Sequence, residues 1–552
     1  MRKATQPVFV LIIYTATLLQ LLYAQNLNLS IQSTDTTSAQ ISFLKTGAFQ
    51  DLTSLKEAKT ATYDSLITAG FLQLLEEVFY QNNDSSYIAK IKLGKKTNTL
   101  HIKEAIGADS IDYYIEFKEA GLFMERKKQQ LADLGYPFAS INLVLLEQQG
   151  SASDTLSAVL VSEKADLRRL DKFEIKGYED FPPNYTQRIF KRALGKAFSE
   201  ERLRNLHQQL LNTGFSNSIK EPEVLFSPDS TSVFFYLEKK QANFFDGLLG
   251  FNSDEDGNLF ISGYLDLKLI NNFNYGEQFV LFYRGNGEEQ REIKLNAFMP
   301  YLFQSPVSLK VGLDIFRRDS LFQNVEQRLD LLYHLSPQLM IGGNIYQIET
   351  TDSGDDTQVL SQDADAQFIG LSIDYQQPDN RYPLFFTKTS IYTEAGFGSR
   401  DAKTLGEQAI QRYRLEAANN FYINDKHSIY VKTTGGWVNA DDYLTGDLMR
   451  LGGKNNQRGF LENSIDASLY NIWSTEYRFL AARNFFLHSI FDVGYFQNAA
   501  LGIEDNLVSF GFGAGLLTRA GVLNISIANG KTGTEKFKFN NSILHLNLNV
   551  IF

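Results

Sequence analysis

The residues with the most distinctive chemistry lie in one polar, glycine-rich stretch, LMRLGGKNNQRGFLENS, which runs from Leu448 to Ser464. In it, Arg458 stands directly before a Gly-Phe pair, Gly459 and Phe460. A guanidinium group is a planar fork of donors, and it binds a carboxylate at two points when one is within reach. The flanking sequence reads as one alternating strand after another, which predicts that this stretch is a long loop. Its arginine is therefore either an ion-pairing residue or an ordinary solvent-exposed loop side chain.

Patterns typical of catalysis are missing from the sequence. It contains neither a G-x-S-x-G nucleophile elbow nor a P-loop, and its six histidines lack metal-ligand spacing. The absence of cysteine excludes disulfides, thiolate metal sites and Cys nucleophiles. The segment GFGAG, from Gly511 to Gly515, lies within an alternating strand and precedes no helix, which argues against a dinucleotide-binding loop. We therefore predict a protein that is not an enzyme and that uses no metal or cofactor.

The first residues are typical of an export signal. Arg2 and Lys3 supply positive charge, and the apolar run VFVLIIYTATLLQLLYA follows them. We predict a signal peptide over residues 1–24, cleaved between Ala24 and Gln25, with a membrane anchor as the alternative. The formal net charge of -11 argues against nucleic acid as a partner. Because no other segment is long and apolar enough to be a transmembrane helix, an exported chain of this sequence can enter a membrane only as a closed β-barrel.

Between the export signal and residue 240, helical and strand patterns alternate. One unit recurs: a leucine, then a Gly-aromatic pair four residues later, followed by a strand, a turn and a second strand. A glycine at this place is typical of a left-handed cap at the C-terminus of a helix. The recurrence predicts three small α+β modules, over residues 25–102, 103–171 and 172–240. The three copies are Leu66 with Gly70-Phe71, Leu131 with Gly135-Tyr136, and Leu210 with Gly214-Phe215.

From residue 241 to residue 552 the helical period disappears, and we count sixteen alternating segments, as in a transmembrane β-barrel. Short connections such as HLSP and NDK alternate with connections that are often long and polar, such as TTDSGDDTQVLSQDAD. Outer-membrane barrels have short periplasmic turns and long external loops. In the last segment His545, Asn547 and Asn549 share a face opposite an apolar face, which fits a wet lumen and surrounding lipid. The alternative for this segment alone is a half-buried strand of a soluble sheet.

Together these features resemble the BamA/TamA superfamily of outer-membrane assembly proteins, and the TamA type most closely. Members carry periplasmic POTRA modules before a sixteen-stranded barrel, and their sixth external loop holds an Arg-Gly-Phe/Tyr motif, often after Leu-Gly-Gly. The corresponding residues here are Leu451-Gly452-Gly453 and Arg458-Gly459-Phe460, between the eleventh and twelfth predicted strands. The resemblance covers nearly the whole chain after the signal. Its specificity comes from the loop position, the modules and the terminal Phe552 together.

The resemblance implies that this loop folds back into the barrel, where its arginine meets an acidic residue of the wall. The matching wall motif is FDVG, which places Asp492 on the thirteenth strand. The alternation of strand residues puts Asp492 opposite the apolar, lipid-like face of that strand, and it puts Glu476 on the polar face of the twelfth strand. We therefore predict that Arg458 is a latch with Asp492 and Glu476 as wall partners, and that Gly459 permits the tight turn.

The resemblance also implies a seam at which the first strand pairs weakly with the last. An exposed strand edge can template pairing with an incoming strand. In one departure from the family pattern, residues 541–552 lack the glycine kink that the last strand of relatives often has. Strand TSVFFYLEKK of the third module is a second candidate edge. The predicted seam residues are Phe245, Gly247 and Gly250 on the first strand, and Leu548, Val550 and Phe552 on the last.

The implied function is the insertion or export of unfolded client polypeptides at the outer membrane of a diderm bacterium, with the modules in the periplasm. The implied partners are the lipid bilayer, the clients and a TamB-like periplasmic protein. Two other functions compete with this one. A two-partner secretion transporter exports one dedicated partner through its lumen, and a passive porin or receptor uses the modules only as an anchor.

Overall fold

A computed structural model describes residues 26–35, 47–107, 109–146, 154–253, 259–285, 290–318, 321–352, 362–379, 381–382, 384–385, 387–518, 521–533 and 535–552. The predicted signal peptide, residues 1–24, lies outside the described residues. None of the helices in these ranges has the length and apolar character needed to cross a membrane. The chain divides into two compact units, Met1–Arg169 with Lys196–Arg202, and Leu170–Gly195 with Leu203–Phe552.

The first module is a four-stranded sheet covered by one helix. Its elements are β1 (Leu27–Ser33), β2 (Gly47–Phe49), α1 (Leu52–Thr68), β3 (Leu75–Asn83) and β4 (Ser86–Lys92). The sheet order is β2-β1-β4-β3, with β1 and β4 parallel. Asp51 caps α1 by accepting a hydrogen bond from the backbone N–H of Ser54 at 2.7 Å. Leu55 and Leu66 of α1 are fully buried against the apolar face of the sheet.

The second module repeats this plan. Its elements are β5 (Thr99–Ile106), β6 (Asp109–Glu116), α2 (Ala120–Asp133), β7 (Ser140–Leu145) and β8 (Thr155–Glu163). The sheet order is β6-β5-β8-β7, with β5 and β8 parallel. The predicted boundary after residue 102 is therefore wrong, because it cuts β5. Pairing of Thr99 with both Glu116 and Thr155 places the start of the second module before residue 99.

The third module has two helices and a three-stranded sheet. Its elements are β9 (Lys172–Lys176), α3 (Pro183–Lys191), α4 (Glu200–Leu211), β10 (Ser216–Phe226) and β11 (Thr231–Lys239). The order β10-β11-β9 puts β11 in the centre. The prediction that TSVFFYLEKK is a free edge is therefore wrong, since β11 pairs on both sides. Phe235 of β11 is fully buried and stacks on Phe190 of α3, with ring centroids 5.4 Å apart.

The helix caps predicted from the recurring glycines are present. Gly70, Gly135 and Gly214 have φ angles of 107°, 101° and 84°, a region that side chains with a Cβ rarely adopt. In the first module the backbone N–H of Phe71 reaches back to the carbonyl of Leu66 at 3.0 Å, which is the long bond of a Schellman cap. In each module the chain then forms two successive strands, as the sequence predicts.

The region from residue 244 onward forms a closed barrel of sixteen antiparallel strands, and this confirms the predicted fold class. Along the chain, a hairpin of two short strands follows the eleventh barrel strand and precedes the twelfth, and it forms a separate small sheet. The first eight barrel strands are β12 (Phe244–Ser253), β13 (Leu259–Ile270), β14 (Gln278–Gly285), β15 (Gln290–Met299), β16 (Val307–Arg318), β17 (Phe322–His334), β18 (Leu339–Asp352) and β19 (Ala364–Pro378). The remaining strands are β20 (Thr387–Ala402), β21 (Gly406–Tyr422), β22 (His427–Ala440), the hairpin strands β23 (Met449–Leu451) and β24 (Ile465–Ala467), and then β25 (Leu469–Ala482), β26 (Phe485–Asn498), β27 (Ile503–Leu517), β28 (Gly521–Thr532) and β29 (Ile543–Ile551).

The two faces of the barrel wall differ in the way that a lipid exterior and a polar interior require. On β26, Leu487, Phe491 and Val493 are exposed on the outside, whereas Ile490 and Asp492 are buried. On β29, Leu544, Leu546 and Leu548 are exposed and Asn547 is buried. The alternation predicted for these two strands is therefore observed.

The third module contacts the turns at one end of the barrel. The side-chain amide of Asn184, at the start of α3, donates to the carbonyls of Tyr275 and Pro300, both at 2.9 Å. The ring of Tyr185 meets that of Tyr301 edge-on, with centroids 4.9 Å apart. This end carries the short connections, so it is the end that the sequence predicts to face the periplasm.

Candidate functional site

The segment that contains Arg458 lies inside the barrel. We call residues 441–468, which connect β22 to β25, the inner loop. The hairpin of β23 and β24 forms its stem, with Met449 opposite Ala467. Leu451 of the hairpin is fully buried against Ile472 of β25 and Leu507 of β27, two residues of the inner wall. An apolar stem thus brings a polar, glycine-rich tip to the wall.

Arg458 binds both predicted wall partners. Its Nε donates to Asp492 Oδ2 at 2.8 Å, and its Nη2 donates to the second oxygen of the same carboxylate. Its Nη1 donates to Glu476, and its own backbone N–H adds a third bond to Asp492 at 3.2 Å. Arg458 is 8% exposed and Asp492 is fully buried, so this charge-assisted cluster is shielded from water. The geometry excludes the alternative of a solvent-exposed arginine.

The residues next to Arg458 explain how the tip comes so close to the wall. Gly459 has a φ of 82°, and a Cβ added there would stand 2.6 Å from the backbone nitrogen of Gly530 on β28. Phe460 lies over Gly530, where an added Cβ would be 2.5 Å from the phenyl ring. Gln457 donates to Ser509 of β27 at 2.6 Å. The tip is therefore fitted to a groove of small residues on strands β27 and β28.

The Leu-Gly-Gly motif shapes the turn that precedes the tip. Gly452 and Gly453 have φ angles of 106° and 94°. The backbone N–H of Gly452 donates to Asn456 at 2.8 Å, and that of Gly453 donates to the carbonyl of Phe460 at 3.1 Å. A Cβ at Gly452 would stand 2.1 Å from the carbonyl oxygen of Leu461, so a larger residue would displace the loop. These two glycines fold the tip, and they do not contact the wall partners of Arg458.

Three further ion pairs hold the inner loop with the charges reversed, because the arginine belongs to the wall and the acid to the loop. Arg284 of β14 binds Glu462 at 2.8 Å. Arg318 of β16 binds Asp466 at two points, 2.6 and 2.9 Å. The fully buried Arg400 of β20 binds Asp447 and the carbonyl of Asp442. These pairs were not predicted from the sequence, although all three arginines stand at inward positions of alternating strands, where a cation needs a partner.

The four arginine sites tie the inner loop to walls on different sides of the lumen. Arg458 links it to β25 and β26, whereas the wall arginines link it to β14, β16 and β20. Removing one partner of a buried ion pair typically costs about 3–5 kcal/mol, because the other charge stays buried without compensation. The loop is therefore an internal cross-link of the barrel. No group of three His, Asp or Glu side chains placed to hold a metal ion occurs within the described ranges.

The first and last barrel strands meet along a short contact. In the described part of the chain, β12 and β29 share two residue pairs, Phe244 with Ile551 and Phe245 with Val550, whereas every other pair of neighbouring barrel strands shares eight or more. The backbone N–H of Phe552 adds one bond to the carbonyl of Asn243 at 3.0 Å. The weak pairing is confined to the side of β12 that faces β29, since all ten residues of β12, including Gly247 and Gly250, have partners on β13. Leu548 pairs with Leu523 of β28 and has no partner on β12.

Solved structures of CdiB and BamA align with most of this chain. CdiB from Acinetobacter baumannii aligns with a TM-score of 0.51 and 13% identity over 90% of this chain and 97% of that chain. CdiB from Escherichia coli gives 0.48 and 12% over 91% and 97%. BamA from Haemophilus ducreyi lacking POTRA domains 1-3 gives 0.48 and 14% over 79% and 93%. No protein-family model and no curated protein sequence matches the chain. The chain thus shares with CdiB from Acinetobacter baumannii the fold of N-terminal α/β modules followed by a sixteen-stranded barrel.

Proposed function

We propose that this chain is an outer-membrane factor that receives unfolded client polypeptides at its modules and inserts or exports them through the seam between β12 and β29. The apolar outer face of the barrel supports its place in a lipid bilayer. The modules would stand in the periplasm of a diderm bacterium, since the third module contacts the end of the barrel that carries the short connections.

The short contact between β12 and β29 is the observation that carries this proposal. Two residue pairs close a seam along which strands of nine and ten residues run. The backbone donors and acceptors beyond those pairs form a strand edge, and such an edge binds an incoming strand by β-augmentation. A client strand could therefore pair with this edge without first breaking a full ladder of hydrogen bonds.

The position of the inner loop favours passage of clients at the seam and argues against passage through an open lumen. Its ion pairs reach β14, β16, β20, β25 and β26, so its residues occupy the space that a steady pore would need. In this proposal Arg458 is the latch that holds the loop, and Asp492 and Glu476 are its wall partners. The competing porin function predicts a large, steady conductance in a planar bilayer, whereas a plugged barrel predicts small and unstable openings.

Client chains would first meet the modules. In the third module the free edges of the described sheet are β9 and β10, which flank the central β11. Edge pairing at these strands is the same chemistry that we propose at the seam.

A TamB-like periplasmic partner and a closer relation to the TamA type stay predictions. The competing two-partner transporter would serve one dedicated partner, so a deletion strain that lost a single secreted protein, with an unchanged outer-membrane proteome, would favour that function.

A disulfide across the seam tests the proposal directly, and the cysteine-free chain makes it simple. We expect a Phe245→Cys, Val550→Cys variant to lose client insertion when oxidised and to regain it with reductant, because these residues are direct partners across the seam. The matched control is Leu295→Cys with Leu313→Cys, partners on the fully paired strands β15 and β16. Full activity of the oxidised seam variant, at a yield of crosslink equal to that of the control, would contradict the proposal.

A further inference from the structure

Backbone pairing at the seam stops abruptly, although both strands continue. It runs from the bond between Phe552 and Asn243 to the pair of Phe245 with Val550, at the end of the barrel next to the third module. If the same register continued, Asp246 would stand opposite Asn549. No backbone pair forms there, yet β12 extends to residue 253 and β29 begins at residue 543.

At the next residue, Asp246, a side-chain hydrogen bond crosses the seam. The amide nitrogen of Asn547 on β29 donates to Asp246 Oδ2 at 2.9 Å. The hydroxyl of Tyr264 on β13 donates to the other oxygen, Oδ1, at 2.8 Å. Asp246 stands directly opposite Asp266 on β13, so Tyr264 is its diagonal neighbour on one side, as Asn547 is on the other. One carboxylate thus connects the last strand, the first strand and the second strand.

This cluster is buried and its two bonds satisfy both carboxylate oxygens. Asp246 is 5% exposed and Asn547 is 7% exposed. A buried carboxylate that loses a donor bears the cost of its desolvation, so the bond to Asn547 is worth more here than on a wet surface. Asp266, the second carboxylate beside it, adds repulsion that makes each donor to Asp246 more important.

The space behind the cluster is a cavity and not a packed core. Its volume is about 270 Å³, and it opens between the seam and the inner loop. Polar residues line it together with the apolar Phe282, Leu544 and Leu546; the polar ones include Asp246, Asp266, His545, Asn547 and Lys454 of the inner loop. Because a cavity lies at this level, close packing contributes little to holding β12 against β29, and there is room for the side chains to separate.

We propose that Asp246, Asn547 and Tyr264 form a polar lock that closes the seam where backbone pairing ends, with Asp246 as its centre. Release of Asn547 from Asp246 is the step that frees the edges of β12 and β29. The lock deepens the proposed function and rests on it for its purpose, since an incoming strand would take the place of Asn547. The three residues of the lock all belong to the barrel, so the lock can be tested without a client.

Hydrogen exchange of the detergent-solubilised or bilayer-reconstituted full chain, without any client, tests the lock. We expect Asp246→Ala and Asn547→Ala each to speed amide exchange in residues 543–549 about tenfold or more, because the unlocked strand opens locally more often. The charge-exchanged variant Asp246→Asn with Asn547→Asp can form the bond in the opposite direction, and it should restore slow exchange. The matched control is Asp314→Ala, which removes a carboxylate from the inward face of β16, far from the seam in the order of strands.

Each outcome bears on the lock. Unchanged exchange in either folded single variant would overturn it, and so would a charge-exchanged variant that behaves like the single variants. If the single variants fail to form barrels, a charge-exchanged variant that folds supports the lock, and one that also fails overturns it. Because no client is present, a protein that keeps the lock but inserts no client would refute the proposed function without touching this inference.

Discussion

The barrel has two sides that are built by different means. On the side formed by β17 to β22, neighbouring strands share up to fifteen residue pairs, as β19 and β20 do. Its inward face carries a closed ionic network in which Glu326 accepts from Arg412 at 3.2 Å and Arg414 at 3.3 Å, and Arg328 binds Glu394. On the seam side, two residue pairs, one backbone bond from Phe552 to Asn243 and one buried carboxylate join the two ends of the barrel sheet. We call the first region the back wall.

The difference between the back wall and the seam side indicates which part of the barrel can move. The Glu326 network of the back wall pairs its charges among strands of that wall, although Arg400 of β20 also binds Asp447 of the inner loop. The strands beside the seam depend on the inner loop, since Arg458 ties it to β25 and β26 and Arg284 ties it to β14. A client that disturbs the loop would therefore loosen the seam side more than the back wall, whose strands are joined by long backbone ladders.

Reversal of the Arg458 charge should cause the largest loss in the free energy of unfolding, because it removes the loop from the seam side. Arg458→Glu places a third carboxylate beside Asp492 and Glu476, and we expect a loss of roughly 3–5 kcal/mol in the free energy of unfolding. The midpoint of unfolding, read from the gel shift between folded and unfolded barrel, measures it. Asp492→Arg in the same chain should recover a large part of the loss.

The matched control for this change is Lys403→Glu, an exposed cation on another connection between strands. We expect this control to shift the midpoint by less than about 0.5 kcal/mol, the usual range for a surface substitution. An Arg458→Glu protein as stable and as active as this control would show that the inner loop does not depend on its arginine.

Loss of Glu326 should weaken the back wall and spare the seam. Glu326→Gln leaves Arg412 and Arg414 short of one carboxylate, and we expect a cost of about 2–3 kcal/mol, that of a hydrogen-bonded charge. Exchange of β29 amides should stay at the level of the unaltered protein. Glu349→Gln on β18, which is exposed, is the control for the same chemical change. Faster exchange at β29 would mean that the two sides are coupled, and the contrast between them would fail.

Acid should affect the modules before the barrel, and this is the smallest effect we predict. Burial alone raises the pKa of Glu104, but its bonds from Lys127 at 2.6 Å and Tyr113 at 2.8 Å outweigh burial and lower it. A carboxylate with a lowered pKa contributes stability that is present above its unfolded pKa, about 4.3, and is lost as the pH falls through the folded value. We therefore expect the second module to lose stability progressively below about pH 4.3.

Two spectroscopic signals separate the regions in this titration. All α-helices of the described residues belong to the modules, and both tryptophans, Trp437 and Trp473, belong to the barrel. Helical circular dichroism should therefore fall at a higher pH than tryptophan fluorescence changes. Glu104→Gln should reduce the acid sensitivity of the dichroism signal. Simultaneous changes of both signals would contradict an independent response of the modules.

The strands, their faces and the helix caps could be predicted from the sequence because they depend on local patterns. A period of two residues identifies each barrel strand and its inward side, and a leucine followed by glycine and an aromatic residue identifies the cap at Gly70 or Gly135. The family motifs added Arg458, its loop and Asp492, and inward parity supported Asp492 on β26 and added Glu476 on β25.

Features that depend on distant pairing could not be predicted in this way. The central place of β11 and the membership of β5 in the second module follow from which strands pair, and no local pattern encodes that order. Arg284, Arg318 and Arg400 find their acids 47 to 178 residues away in the chain, on a loop whose path is set by the whole barrel. The end of pairing after Phe245 likewise depends on how the two terminal strands meet when the barrel closes.

The most direct test of a seam that opens is a distance measurement across it during client insertion. Spin labels at Phe245→Cys and Leu548→Cys would stand on the exposed outer faces of β12 and β29, and labels at Ile369→Cys and Phe397→Cys would report on the back wall. We predict that an added client strand produces a second, longer distance between the seam labels and leaves the back-wall distance unchanged. A single, unchanged seam distance in a protein that is inserting its client would contradict the account.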